Sequence, residues 1–300
     1  MNPNKNSQTK KMKYKKVNLI KVYIWNKYVG AVAFDPSLNF YVFAYDKMFS
    51  INKIELSPLH MTVNETEQPY VFTNLPVETF KRLPALLSDS LPDDFGNALI
   101  DRYMAEKGIP KSQISPLDRL AYMGNRAMGA LEFKPAFYSA KQKPTILEIN
   151  NLVTEARNAV KGNIQNEDES QAALRSIIEV GTTAGGARAK AVIAWNPVTN
   201  EIRSGQVEAT NEFEYWLLKF DGMGQDKELG ATQDYGRIEY AYYLMATHAK
   251  IQMSECRLLH ENNRSHFMTK RFDREKGNIK HHIQTLCAMD HIDYKKKINQ

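Results

Sequence analysis

Eleven residues, Val180 to Lys190, constrain this chain more than any others. Within them Gly181, Gly185 and Gly186 flank the two hydroxyls of Thr182 and Thr183, and the run passes straight into apolar, β-prone Ala191 to Trp195. Glycines free the backbone to take φ > 0 and to turn successive N–H groups towards one point. A concave set of donors of that kind suits a phosphate, and Lys190 would set a positive charge beside it. The same stretch also reads as a flexible hairpin between two strands, because short glycine-rich patterns recur without function. Its neighbours decide between the two.

Upstream, Val17 to Trp25, Tyr28 to Phe34 and Phe40 to Tyr45 alternate as short strands, with turns expected at Asn26-Lys27 and Asp35-Pro36. Tyr70 to Phe72 reads as another short strand. A helical block follows. Phe95, Leu99, Tyr103 and Met104 recur at helical spacing, Gly108 is placed to cap, and Pro116 stands at a first helical position. Met128 to Phe133 returns to strand, and helices are expected at 145–160 and 170–179. After the turn come a strand to Trp195, a hairpin turn at 196–200 and its return at 201–204. Beyond these are a strand at 213–220 ending near Lys219, a loop at 221–234, a helix at 235–249 containing Glu239, and strands at 254–259 and 265–269. The fold class is α+β.

Composition sets the remaining bounds. Hydrophobic residues make up 43% and charged residues 25%, as in ordinary globular chains. No apolar run approaches the ~18 residues of a membrane span, and the N-terminus has no apolar segment of the secretory kind. Cys256 and Cys287 lack metal-ligand spacing and read as buried free thiols, so the cytoplasm is the expected compartment. The net charge of +6 comes from six lysines among residues 1–16; without them, basic and acidic residues balance at 34 each. This end reads as a solvated basic tail or as an arm that meets DNA phosphates within a larger complex.

A glycine-rich turn, a strand pair, a lysine at a strand end, a helix bearing a glutamate, two strands and a connector follow one another in the order of a protein kinase's ATP-holding lobe. The chemistry is coherent. Backbone donors hold the β- and γ-phosphates, a strand lysine neutralises the α- and β-phosphates, and a helical glutamate fixes that lysine. Lys219 and Glu239 are the expected pair.

The residues also resemble a family, the HipA-type toxin kinases of bacterial type II toxin–antitoxin systems. The likeness is carried by Leu83 to Gly96, Ser115 to Gly124, Arg126 to Phe133, the glycine-rich turn, Tyr215 to Phe220 and Met268 to Arg274, in family order. Beyond the basic, disordered tail (1–16) read from its charge, it implies a HipA N-terminal subdomain (17–137), a helical connection (138–179), a kinase-like ATP-binding lobe (180–270), and a hinge with the start of a second, helical lobe that is largely missing (271–300). It implies ATP held by Gly181, Thr182, Thr183, Gly185, Gly186, Lys190, Lys219 and Glu239. Lys270 and Phe272 would touch adenine through their backbones, with Asp273 near the ribose. Thr182 or Thr183 would be autophosphorylated, switching the kinase off. The resemblance further implies Mg²⁺, phosphorylation of protein serine or threonine, a HipB-like DNA-binding antitoxin as partner, and DNA reached only through it.

The sequence departs from the family where its catalytic loop should be. His60, His248, His260, His266, His281, His282 and His291 all lack that context. Asp293, in a His-x-Asp stretch, is not expected to be the base, and His281-His282 is not expected to hold a metal. Phosphoryl transfer needs an acidic residue for the substrate hydroxyl and another for the metal. The expectation is therefore a kinase lobe inactive alone, completed by a separate C-terminal lobe, or else a non-catalytic subunit that docks on a kinase or antitoxin. A dinucleotide-binding oxidoreductase is disfavoured, because no helix follows the glycines.

Overall fold

The structure is a computed structural model, and it describes residues 14–63, 68–137, 189–206, 209–221, 234–261 and 264–296. The expected helices at 145–160 and 170–179, and the glycine-rich turn up to Arg188, lie outside the described residues.

Strands β1 (Leu19–Ile24), β2 (Lys27–Asp35), β3 (Phe40–Tyr45) and β4 (Leu131–Lys134) form an antiparallel sheet in the order β3-β2-β1-β4. Alternation decides which face is covered. Ile20, Val22, Ile24, Val32 and Phe43 are fully buried, whereas Lys21 between them is exposed. Helices α1 (Lys47–Ile51), α2 (Val77–Phe80), α3 (Ala85–Ser88), α4 (Asp94–Glu106) and α5 (Pro116–Met123) follow β3, and Phe49, Leu86, Leu99 and Leu120 join that core. Ser115 and Asp118 close a capping box at the start of α5, with Pro116 inside it. The other Asp118 oxygen accepts the Val17 N–H at 3.0 Å and ties down the chain just before β1.

Two expectations shift here. The first hairpin turns at Trp25-Asn26, one residue early, with both residues at positive φ (48° and 62°). A two-residue turn of that hand matches the twist of its strands, and the Trp25 indole N–H is held by the Lys280 carbonyl at 2.7 Å. Tyr70 makes a single bridge to Phe43 and no strand.

The second sheet is antiparallel in the order β6-β5-β7-β9-β8, from β5 (Lys190–Trp195), β6 (Ile202–Ser204), β7 (Glu214–Lys219), β8 (Cys256–Glu261) and β9 (Arg264–Lys270). Helix α6 (Tyr235–His248) lies between β7 and β8 in sequence. One face of this sheet, with Ala191, Ile193, Trp195, Trp216, Leu218 and Met268, merges into the core of the first. On the other face Ala194 and Tyr215 pack with Ala209 and Phe213. Every residue of β5 is buried, and after Lys190 it reads as an unbroken apolar run instead of an alternating one. Cys256 and Cys287 are both free; Cys256 is buried and Cys287 only partly so.

After β9 the chain forms a small hairpin, β10 (Arg274–Glu275) with β11 (Ile279–Lys280), and a short helix, α7 (Leu286–Met289). This segment straps back across the N-terminal helices. Thr285 bonds Asp89 through its N–H (2.8 Å) and its hydroxyl (2.6 Å), and His282 Nε2 meets the Leu56 carbonyl at 2.8 Å. The His291 ring stacks on His60 at 3.9 Å, beside Phe72 and Phe80. Asp293 accepts from the Thr79 hydroxyl and so sits on the N-terminal subdomain. His281 meets Glu275 at 2.6 Å.

Burial lowers the pKa of His282 and of His291 below 6.5. The neighbouring His60 pushes His291 further down, whereas Asp89 and Asp290 pull the two back. As pH falls through 6.5 the unfolded chain binds protons that the folded strap excludes, so the strap's stability is lost on acidification and present above that value. Hydrogen exchange of residues 285–292 should accelerate relative to β1 between about pH 7.5 and 5.5, after correction for intrinsic rates. An unchanged ratio would contradict this.

Candidate functional site

Lys219 ends β7. Because Trp216 and Leu218 point into the shared core, Tyr215, Leu217 and Lys219 belong to the opposite face. Lys219 Nζ meets Glu239 Oε2 of α6 at 2.5 Å, with the two side chains 33% and 27% exposed. The ammonium also lies 5.5 Å from the Phe267 ring centroid. The structure thus brings together the two charges that the sequence singles out, at the rim of a face whose floor holds Val192, Ala194 and Leu217, all buried.

The approach of α6 is set by Gly236, a residue that sequence reasoning missed. A Cβ there would stand 1.9 Å from the Ser265 carbonyl oxygen of β9. Only glycine lets the first turn of the helix sit on the strand, and that turn places Glu239 opposite Lys219. Gly236→Ala should push the helix outwards at an overpacking cost of about 1–3 kcal/mol. Thermal denaturation measures that cost, and a wild-type melting temperature would contradict the packing argument. The rest of the helix leaves an apolar stripe outside. Ile238, Tyr242 and Met245, spaced to share one face, are 47%, 67% and 66% exposed.

Lys190 stands directly opposite Lys219 in the β5–β7 register. Like charges so placed are destabilising, and each is answered by its own carboxylate. Lys190 is buried and paired with Asp93, the N-cap of α4, which also accepts the Gly96 N–H at 2.7 Å. Burial holds the Asp93 carboxyl above its ordinary value even with the Lys190 ammonium beside it. The Lys190 ammonium therefore faces the N-terminal subdomain. The Asp-Asp pair before Phe95 signals a helix cap but gives no hint of this partner.

The hinge residues divide. The Lys270 N–H donates to the Glu255 carbonyl at 2.8 Å, and its ammonium bonds Glu214 at 2.6 Å. Phe272 is 68% exposed. Asp273 is fully buried. Its carboxylate accepts from Arg271 Nε (2.8 Å) and Nη2 (2.6 Å), from Arg274 Nη1 (2.8 Å) and from the Gly129 N–H (2.8 Å). Burial pushes this carboxyl up, but the Arg271 and Arg274 charges and the Gly129 N–H outweigh it, so it ends below its ordinary value. Burial and the Arg271 charge lower Arg274 to about 10. Asp273 thus joins the hinge to the N-terminal subdomain and is not brought to the face that carries Lys219.

Comparisons with known proteins bear on this arrangement. Residues 20–134 match the family model described as the HipA N-terminal domain, and residues 182–300 match the HipA-like C-terminal domain. The chain belongs to the HipA family. Its fold is similar to that of HipA from the Shewanella oneidensis MR-1 toxin–antitoxin system, solved with HipB and its operator DNA. The TM-score is 0.58 at 16% identity, covering 93% of this chain and 57% of that one. A likeness at that identity concerns the fold, and this HipA-like chain spans a little over half the length of that protein. No curated protein matches the sequence. Among the described residues no helix is long and apolar enough to cross a membrane, and no group of three or more His, Cys, Asp or Glu side chains could hold a metal.

Proposed function

We propose that the five-stranded lobe binds ATP as the nucleotide-holding half of a HipA-type protein serine/threonine kinase. The observation that carries this is the 2.5 Å pairing of Lys219 with Glu239. A partly exposed strand ammonium fixed by a helical carboxylate, beside apolar Val192 and Leu217, fits a phosphate chain whose base lies against those residues. Gly181, Gly185 and Gly186 supply backbone donors to the phosphates. Phe272 presents the hinge backbone to the adenine edge, and Lys190 anchors the start of β5 through Asp93. Thr182 or Thr183 accepts the regulatory phosphate, whose charge of about −1.5 to −2 disfavours the loop's place beside ATP. Magnesium, when bound, neutralises phosphate charge, and its ligands are assigned to a second lobe.

That second lobe, on a continuation of this chain or on a separate polypeptide, also covers the exposed stripe of Ile238, Tyr242 and Met245. The same stripe favours a second reading, in which the chain is a non-catalytic subunit docking on a separate kinase lobe or a HipB-like antitoxin. Calorimetric titration with Mg-ATP, run beside a γ-phosphate transfer assay, separates the two. Binding without transfer by this chain alone supports the half-kinase. Absence of binding, with co-purification of a HipB-like repressor, supports the docking subunit.

A further inference from the structure

We propose that the open face of the N-terminal sheet is a docking surface for single-stranded nucleic acid, remote from Lys219 and independent of the ATP reading. The first 34 residues, which include β1 and nearly all of β2, carry eight lysines and no acidic residue. One of these lysines, Lys21, and a lysine from far along the chain, Lys134, reach the folded surface beside aromatic rings. Lys21 of β1 and Lys134 of β4 are exposed and stand directly opposite each other in register. Like charges so placed repel. Neither is given a carboxylate among the described residues; the Lys134 ammonium lies 4.3 Å from the Tyr23 ring centroid and that of Lys21 6.0 Å from Tyr28.

The acids nearby are engaged elsewhere. Glu132, opposite Tyr23, pairs with Lys280 at 2.7 Å, and Asp46, whose charge reaches Tyr28, caps α1. The uncompensated repulsion is what an incoming phosphate chain would relieve.

The rest of the face suits bases. Tyr23 and Tyr28 face each other across β1 and β2 with ring centroids 5.4 Å apart, and both are partly exposed. Beside them Ala31, Ala33 and Ala44 keep the pleat low. An antiparallel sheet face with aromatic rings beside lysines offers stacking to unpaired bases and charge to their backbone. A duplex, with its bases enclosed, would use the lysines alone.

The test is fluorescence anisotropy of the full chain with labelled 12-residue oligo-dT, the matching duplex, and anionic phosphatidylserine vesicles. Single strands should bind at low salt and weaken steeply as salt rises. Lys21→Gln with Lys134→Gln should weaken binding about tenfold or more, because two phosphate contacts are lost. Tyr23→Leu should weaken single-strand binding several-fold and leave duplex binding unchanged. All three positions are on the surface, so an unchanged melting temperature certifies the variants. Three results would overturn the proposal: no binding at low salt, affinity indifferent to all three substitutions, or vesicles or duplex preferred over the single strand.

Discussion

Asp273→Ala should leave a chain that barely folds. The substitution strips the carboxylate from between Arg271 and Arg274, both buried, and leaves the Gly129 N–H without its acceptor. Removing one partner from a buried ionic cluster costs about 3–5 kcal/mol, since the remaining charge stays desolvated. Against a total stability of about 5–15 kcal/mol, that is a large share. The hinge would part from the N-terminal subdomain at Gly129, and the strap beyond Arg274 would follow. Urea denaturation read by tryptophan fluorescence measures the cost. Phe272→Ala is the control: its exposed ring should matter by no more than about 0.5 kcal/mol. A loss under about 1 kcal/mol in Asp273→Ala would show that the cluster is not a structural hub. The pH dependence has a definite sign. Folding depresses this carboxyl below 3.8, so its contribution is present above that value and lost as pH falls through the folded pKa.

The second large effect concerns binding. Lys219→Met should weaken Mg-ATP binding about 10- to 100-fold, the range for losing a hydrogen bond to a charged group. The fold should survive, because both side chains of the pair are partly exposed and pairs of that kind contribute little to stability. Glu239→Gln should cost less, because the ammonium remains and only its aim is relaxed. Added to Lys219→Met, it should cost nothing more, since residues acting as one unit are not additive. Calorimetry on the two single variants and the double variant tests this. Independent, additive losses would mean that the glutamate does not act through the lysine.

The sequence made the second sheet legible because its signals are local. A strand lysine, a helix of fixed phase and two more strands yield the Lys219–Glu239 pair from order alone. Contacts between distant segments were illegible. Lys190 belongs to Asp93, ninety-seven positions away, and nothing local distinguishes a lysine bound for phosphate from one bound for a buried carboxylate. The resemblance to the family implies a place for Asp273 near the ribose; its buried contacts with Arg271 and Arg274 are signalled in the sequence only by the two flanking arginines. Gly236 carries no local sign of its part in the fold. Its role rests on a carbonyl of another strand, which one-dimensional spacing cannot show. The phase of α6 was also hidden, because an amphipathic pattern does not say which stripe meets the sheet. Here the stripe bearing Gly236 and Glu239 does, and Ile238, Tyr242 and Met245 face outwards.

The most direct test is a crystal structure of the chain with Mg²⁺ and a non-hydrolysable ATP analogue. The triphosphate should lie beside the Lys219 ammonium, with Glu239 still holding that ammonium and the adenine against Val192 and Leu217. A triphosphate seated elsewhere, or a Lys219 side chain turned away from it, would contradict the account.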